Sequence, residues 1–328
     1  MFTNVKDWKG LPIGLGLAAL GRPGYINLGH DEDVGSDKSV EVMEAQAHRV
    51  LDAAWEAGVR YYDAARSYGR AEEFLANWII SREIAPEEIF VASKWGYRYT
   101  ANWQVEAEAH EIKEHSLAHL QSQYQESKAL LGKYLNLYQI HSATLESGVL
   151  ENDEVLDELA GLKAAGLEIG LSLSGASQAE TLDKALAIER DGTLLFNAVQ
   201  ATWNILEPSA GEALETAHAA GMRVIVKEAL ANGRLSPRNE APEFAEKQRV
   251  LAALAEKKGN TIDALTIAAV LAQTWADLVL SGAARVEHLK SNLTAVALSL
   301  EADELAALLE LKERPQEYWQ TRSQQAWN

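Results

Sequence analysis

The chain has no cysteine. That absence excludes disulfides, thiolate metal sites, iron–sulfur clusters and a cysteine nucleophile. Positive charge is scarce: 30 Lys and Arg stand against 48 Asp and Glu, a net charge of −18. Phosphate backbones and anionic lipid repel such a chain, so neither nucleic acid nor a membrane surface is an expected partner. No uninterrupted apolar run is long enough to span a bilayer. The opening MFTNVKDWKG lacks the apolar core of a signal peptide. With the missing cysteine, these features give the expectation of a cytoplasmic protein. Proline is rare, 7 in 328 residues, and no Pro/Gly/Ser-rich linker divides the chain.

What is present is globular: 47% hydrophobic and 24% charged, a composition that excludes wholesale disorder. Short apolar runs alternate with helical patterns. Strands are expected at Gly14–Leu20, Arg60–Asp63, Ile89–Lys94, Leu135–His141, Glu168–Ser174, Ala198–Trp203, Arg223–Glu228 and Leu278–Leu280. Helical patterns such as Ser39–Ala57, Ala71–Ile80, Ser116–Leu131 and Val286–Val296 follow them. Eight strand–helix units in a chain of this length predict an α/β fold, a (β/α)8 TIM barrel forming a single domain over residues 1–328. A doubly wound sheet is the alternative; the missing linker favours the barrel. Two further features are a long loop over the active face at residues 96–114, carrying Tyr97, Tyr99, Trp103 and His110, and a polar tail at 314–328.

Gly14-Leu15-Gly16-Leu17-Ala18-Ala19 satisfies the dinucleotide pattern G-x-G-x-x-G/A. That pattern works only where a helix opens at the glycines. Here Gly21, Pro23 and Gly24 follow at once, so the small residues read as a tightly packed barrel strand.

Asp63, Lys94 and His141 end three consecutive expected strands, and Tyr68 follows the first of them in its loop. In a parallel barrel such ends converge on one mouth. An ammonium beside a phenol lowers the phenol's pKa, so Lys94 is expected to activate Tyr68 while Asp63 holds Lys94. A neutral His141 would orient a carbonyl oxygen. The set suits protonation of a carbonyl oxygen while a cofactor delivers hydride. Only His141 of the eight histidines sits plainly at a strand end, so no metal site of the zinc-hydrolase kind is expected.

Gly58-Val59-Arg60-Tyr61-Tyr62-Asp63 with Tyr68-Gly69 and Glu72, the lysine strand Val91–Lys94 and the histidine strand Tyr138–His141 resemble the aldo-keto reductases. The resemblance runs from about Pro12 to Asn292 in the family's order. It implies a (β/α)8 barrel with NAD(P)(H) extended across its C-terminal face. Asp63, Tyr68, Lys94 and His141 are then the catalytic tetrad, with Tyr68 as general acid for reduction and general base for oxidation.

The resemblance also implies cofactor contacts: Gly16 and Leu17 on the first strand, Ser172 and Gln200 on the carboxamide, and Lys227, Glu228, Leu230, Asn232 and Gly233 in the seventh-strand loop. Gly282, Arg285, His288 and Asn292 would contact it in the last. Leu173 stands where many members have a polar residue. Lys227 takes the place of the family's stacking aromatic, and Ser291 that of a glutamate. Arg285, with Arg234 and Arg238 behind it, is the candidate for a 2′-phosphate, so NADP(H) is expected over NAD(H). Trp95, Trp103, Tyr318 and Trp319 are the expected substrate-pocket aromatics. The function so implied is an NAD(P)(H)-dependent oxidoreductase interconverting a carbonyl (a small aldehyde, ketone or sugar) and an alcohol. The alternatives are a sugar or polyol dehydrogenase working toward oxidation and a cofactor-binding regulatory subunit with little turnover.

Overall fold

The computed structural model describes residues 10–328; the first nine residues of the expected domain lie outside them. Eight parallel strands close into a barrel: Ile13–Gly16, Tyr61–Asp63, Phe90–Trp95, Leu135–Ala143, Glu168–Leu173, Ala198–Thr202, Arg223–Lys227 and Leu278–Ser281. Each strand pairs with its neighbours in sequence. The last meets the first through Ile13↔Val279 and Leu15↔Ser281. The TIM barrel expected from the alternation is the observed architecture.

The strands are almost wholly buried, as parallel strands covered by helices must be. Their period of two sorts side chains to two faces. Tyr61, Phe90, Ala92, Leu137, Ala198, Ile225, Leu278 and Leu280 form one cluster, the inner packing of the barrel. The intervening residues, among them Tyr62, Val91, Ile140, Leu171, Val199 and Val226, pack into the clusters shared with the outer helices. Gly14 belongs to the inner set. A Cβ there would meet the Tyr61 ring at 2.9 Å, so Gly14 makes room for an aromatic rather than for a pyrophosphate.

The same parity places Asp63, Lys94, His141, Ser172, Gln200 and Lys227 on the inner face, one step beyond the apolar layer, toward the C-terminal ends. The alternation that builds the core thus also builds the polar mouth.

Three segments differ from expectation. The first strand stops at Gly16, and Gly21 N–H turns back to the Leu17 carbonyl at 2.9 Å. The 96–114 loop contains an antiparallel hairpin, Tyr97–Tyr99 with Glu111–Lys113, because His115 and Gln123 anchor its base to the barrel. The polar tail carries a helix, Pro315–Ser323, opened by proline at its first turn.

Behind the mouth, Glu72 on helix Ala71–Ser81 is 1% exposed. It accepts from Ser93 Oγ, from Ser127 Oγ at 2.7 Å and from Arg66 Nη1, linking the third strand to two helices. Removing a buried carboxylate leaves these donors unsatisfied. Glu72→Ala is expected to cost about 3 kcal/mol, read as a lower urea midpoint at unchanged m-value.

Candidate active site

The barrel mouth opens into a cleft of about 680 Å³ that runs from Tyr68 and His141 to His288 and Asn292. At its floor lies an ion pair. Lys94 Nζ donates to Asp63 Oδ1, with the two side chains 0% and 2% exposed. Lys94 also donates to the Ala64 carbonyl at 3.0 Å. Asp63 Oδ2 accepts from Gln200 at 2.8 Å and Gln139 at 3.3 Å. Such saturation is what a buried carboxylate requires.

Tyr68 Oη stands 3.5 Å from Lys94 Nζ and 3.4 Å from His141 Nε2. Ser67 Oγ meets the other imidazole nitrogen at 3.3 Å. The Tyr68 loop is seated by a close backbone approach. Arg70 N–H donates to the Gly21 carbonyl at 2.7 Å, and Gly69, at φ 60°, would push a Cβ to 2.4 Å from that oxygen.

Electrostatics correct one expectation. Burial holds the Tyr68 phenol well above its ordinary value, and the Asp63 charge raises it further against Arg22. The phenol is thus held up on balance, although Lys94 Nζ stands 3.5 Å away. Tyr68 is therefore a protonated donor at neutral pH. His141 is held well below the usual imidazole value by burial, then by the Lys94, Lys227 and Arg22 charges, so it is neutral. Backbone at the mouth is unusual too: Ser142 and Glu228 adopt φ of 52° and 56°, conformations that non-glycine residues hold mainly where function demands them.

The Aldo/keto reductase family matches residues 12–313 of the sequence. The chain belongs to this family. Its relatives include an aldo-keto reductase, str7, of Strobilurus tenacellus, 25% identical over 321 residues and covering 91% of this chain and 87% of that one. A putative aryl-alcohol dehydrogenase, AAD14, of Saccharomyces cerevisiae is 24% identical, covering 80% of this chain and 76% of its own. Among solved structures, the holo form of aldo-keto reductase AKR11C1 from Bacillus halodurans shares the fold. Its TM-score is 0.67 at 21% identity, with 92% of each chain covered.

In this aldo/keto reductase the structure brings Asp63, Tyr68, Lys94 and His141 together. Of the expected cofactor residues, Gly16, Gln200, Lys227, Glu228, Leu230, Asn232, Gly233, Gly282, His288 and Asn292 line the cleft. Leu17 is buried in the core. Ser172 does not line the cleft; its Oγ accepts from the N–H of Ser142, which does, at 2.8 Å. Arg285 is exposed and lies off the cleft.

The four expected substrate aromatics all sit elsewhere. Trp95 is fully buried in the core, since its parity on the third strand points it outward. Trp103 donates its indole N–H to the Lys38 carbonyl at 2.7 Å. Tyr318 is buried with its hydroxyl accepting from Asn204, and Trp319 packs beside it. Besides Tyr68, the Tyr and Trp rings that line the cleft are Tyr25, Tyr97 and Trp327. Trp327 stacks on His110, with centroids 3.8 Å apart, and Arg22 sits 4.8 Å over its ring. Arg22 also pairs with Glu111 at 3.0 Å. Arg322 grips Glu228 with two nitrogens, holding that carboxyl down to about 2, while burial takes Lys227 to about 8. Arg22, Tyr25 and Arg322 carry no sequence signal, because only the folded loops and tail bring them to the mouth.

The buried histidines fix an acid response. His30 and His115 are held down to about 4 by burial, and burial also holds His141 well below its ordinary value. Below about pH 6.5 the unfolded chain protonates these rings and the folded one does not. Stability then falls as pH drops, by up to ~1.4 kcal/mol per pH unit for each ring. Urea unfolding between pH 6.5 and 5 is expected to show this loss, with His141 untitrated by NMR across that range.

Proposed function

We propose that this aldo/keto reductase is an NAD(P)(H)-dependent oxidoreductase that interconverts a small carbonyl compound and its alcohol, with Tyr68 as the proton-transferring group. The observation that carries the reading is the phenol of Tyr68 held between an ion-paired ammonium and a neutral imidazole at the head of a long cleft. The cleft fits a dinucleotide. Asn232 Oδ1 is buried on its wall without a hydrogen-bond partner, and Gly282 leaves open space where a side chain would stand. Gly16, Leu230, Asn232, Gly233, Gly282, His288 and Asn292 would hold the cofactor. When bound, the nicotinamide supplies the hydride that no side chain provides.

The chain's own part is to orient and protonate. Neutral His141 offers its ring as a hydrogen-bonding partner for the substrate oxygen, beside the Tyr68 hydroxyl. Tyr68 gives its proton to that oxygen as it becomes an alkoxide. The Lys94 ammonium, 3.5 Å away, stabilises the phenolate left behind. Because burial and Asp63 keep Tyr68 protonated, the site is set for reduction near neutral pH, and oxidation calls for a more alkaline medium. Trp327, Tyr25 and Tyr97 enclose the substrate's body.

Tyr68→Phe removes the transferable proton and leaves the ring. Carbonyl reduction by NADH or NADPH is expected to fall at least ~100-fold, while the dissociation constant of the dinucleotide, measured by calorimetry, stays within a factor of about three. Near-wild-type turnover would remove Tyr68 from the mechanism.

A further inference from the structure

We infer that this chain binds NAD(H) in preference to NADP(H), and that Asp33 enforces the choice. The inference rests on the proposed function, because it concerns the far end of the same cleft. With the reacting ring at Tyr68, the adenosine half of an extended dinucleotide belongs at the opposite end, among Asp33, Asn232, Arg238, Asp263, His288 and Asn292. NADP(H) differs from NAD(H) there by one phosphate, which carries close to two negative charges near neutral pH.

Among the described residues four cations line the cleft: Arg22, Lys227, Arg238 and Arg322. Arg22, Lys227 and Arg322 surround the catalytic end and pair with Glu111 and Glu228. Arg238 alone stands at the far end, and it is already committed. Its Nη1 and Nη2 donate to the two oxygens of Asp33 at 3.0 and 2.5 Å, the fork-to-fork geometry in which a guanidinium binds a carboxylate best. Nη1 also donates to the Gly29 carbonyl at 3.1 Å, and Nη2 meets His288 Nε2 at 3.2 Å. Nδ1 of that ring faces Asp33 at 3.6 Å.

The Asp33 side chain is 4% exposed. A phosphate seeking Arg238 would have to break this pair and strand a buried carboxylate beside its own charge. Asp263 adds a second carboxylate to the same wall. The other candidate cations do not intervene. Arg234 is held by Glu313 at 2.7 and 3.0 Å, and neither it nor Arg285 lines the cleft. A ribose hydroxyl, by contrast, is a donor that a carboxylate accepts, the usual mark of NAD recognition. The inference therefore runs opposite to the expectation of NADP(H) drawn from Arg285.

The test is calorimetric titration of the purified protein with NADH and with NADPH, then of Asp33→Asn and Arg238→Gln. The wild type is expected to bind NADH at least tenfold more tightly. Asp33→Asn keeps the shape and frees Arg238, and is expected to raise NADPH affinity at least tenfold relative to NADH. Arg238→Gln is expected to leave the preference for NADH intact, and it decides Arg238's role if Asp33→Asn does not fold. Equal or tighter NADPH binding by the wild type overturns the inference alone. So does a selective loss of NADPH in Arg238→Gln, or an unchanged ratio in folded Asp33→Asn. Binding of neither dinucleotide overturns the inference together with the proposed function beneath it.

Discussion

The pairing of Lys94 with Asp63 is the constraint around which the mouth of the barrel is arranged. Both charges are withdrawn from water, and each is tolerable only because the other is there. The remaining lone pairs of Asp63 draw in Gln139 and Gln200, and the remaining protons of Lys94 draw in the Ala64 carbonyl. The Lys94 charge helps to keep His141 neutral, and Asp63 keeps Tyr68 protonated. Burial comes first in both, and the pair adds to it from opposite sides.

Charge matching extends along the whole cleft. Among the described residues its four cations all have carboxylate partners, so within a chain of net charge −18 those residues offer a ligand no unpaired positive group there. The site is polar without being strongly attractive at a distance. It selects through donors and acceptors fixed by their own ion pairs, with Glu228 clasped by Arg322 from the tail helix and approached by Lys227 from the seventh strand.

The barrel and its four central residues were legible because one pattern writes both. A period of two within each strand, repeated eight times, specifies an inner face, and the polar residues Asp63, Lys94 and His141 interrupt that face at its C-terminal end. The pocket walls were not legible. Trp95 is aromatic and adjacent to Lys94, yet adjacency on a strand places it on the opposite face. Tyr318 and Trp319 lie in the segment that borders the cleft, but the tail helix turns them into an apolar cluster and presents Arg322 instead. The sign of the Tyr68 shift was also hidden, since it depends on burial first and then on the Asp63 charge. Arg22 drew no signal because its partners Glu111 and Trp327 reach it from two distant segments.

Residues 25 and 328 are joined by two antiparallel backbone hydrogen bonds, Tyr25 N–H to the Asn328 carbonyl at 3.0 Å and the reverse at 3.2 Å. The Asn328 side chain accepts from Asp31 N–H and donates to the Asn27 carbonyl. Any polypeptide continuing from Asn328, including an affinity tag fused there, therefore departs from the rim of the cleft. Its first residues would lie next to Trp327 and Tyr25, so a tag at that end alters the rim of the cleft.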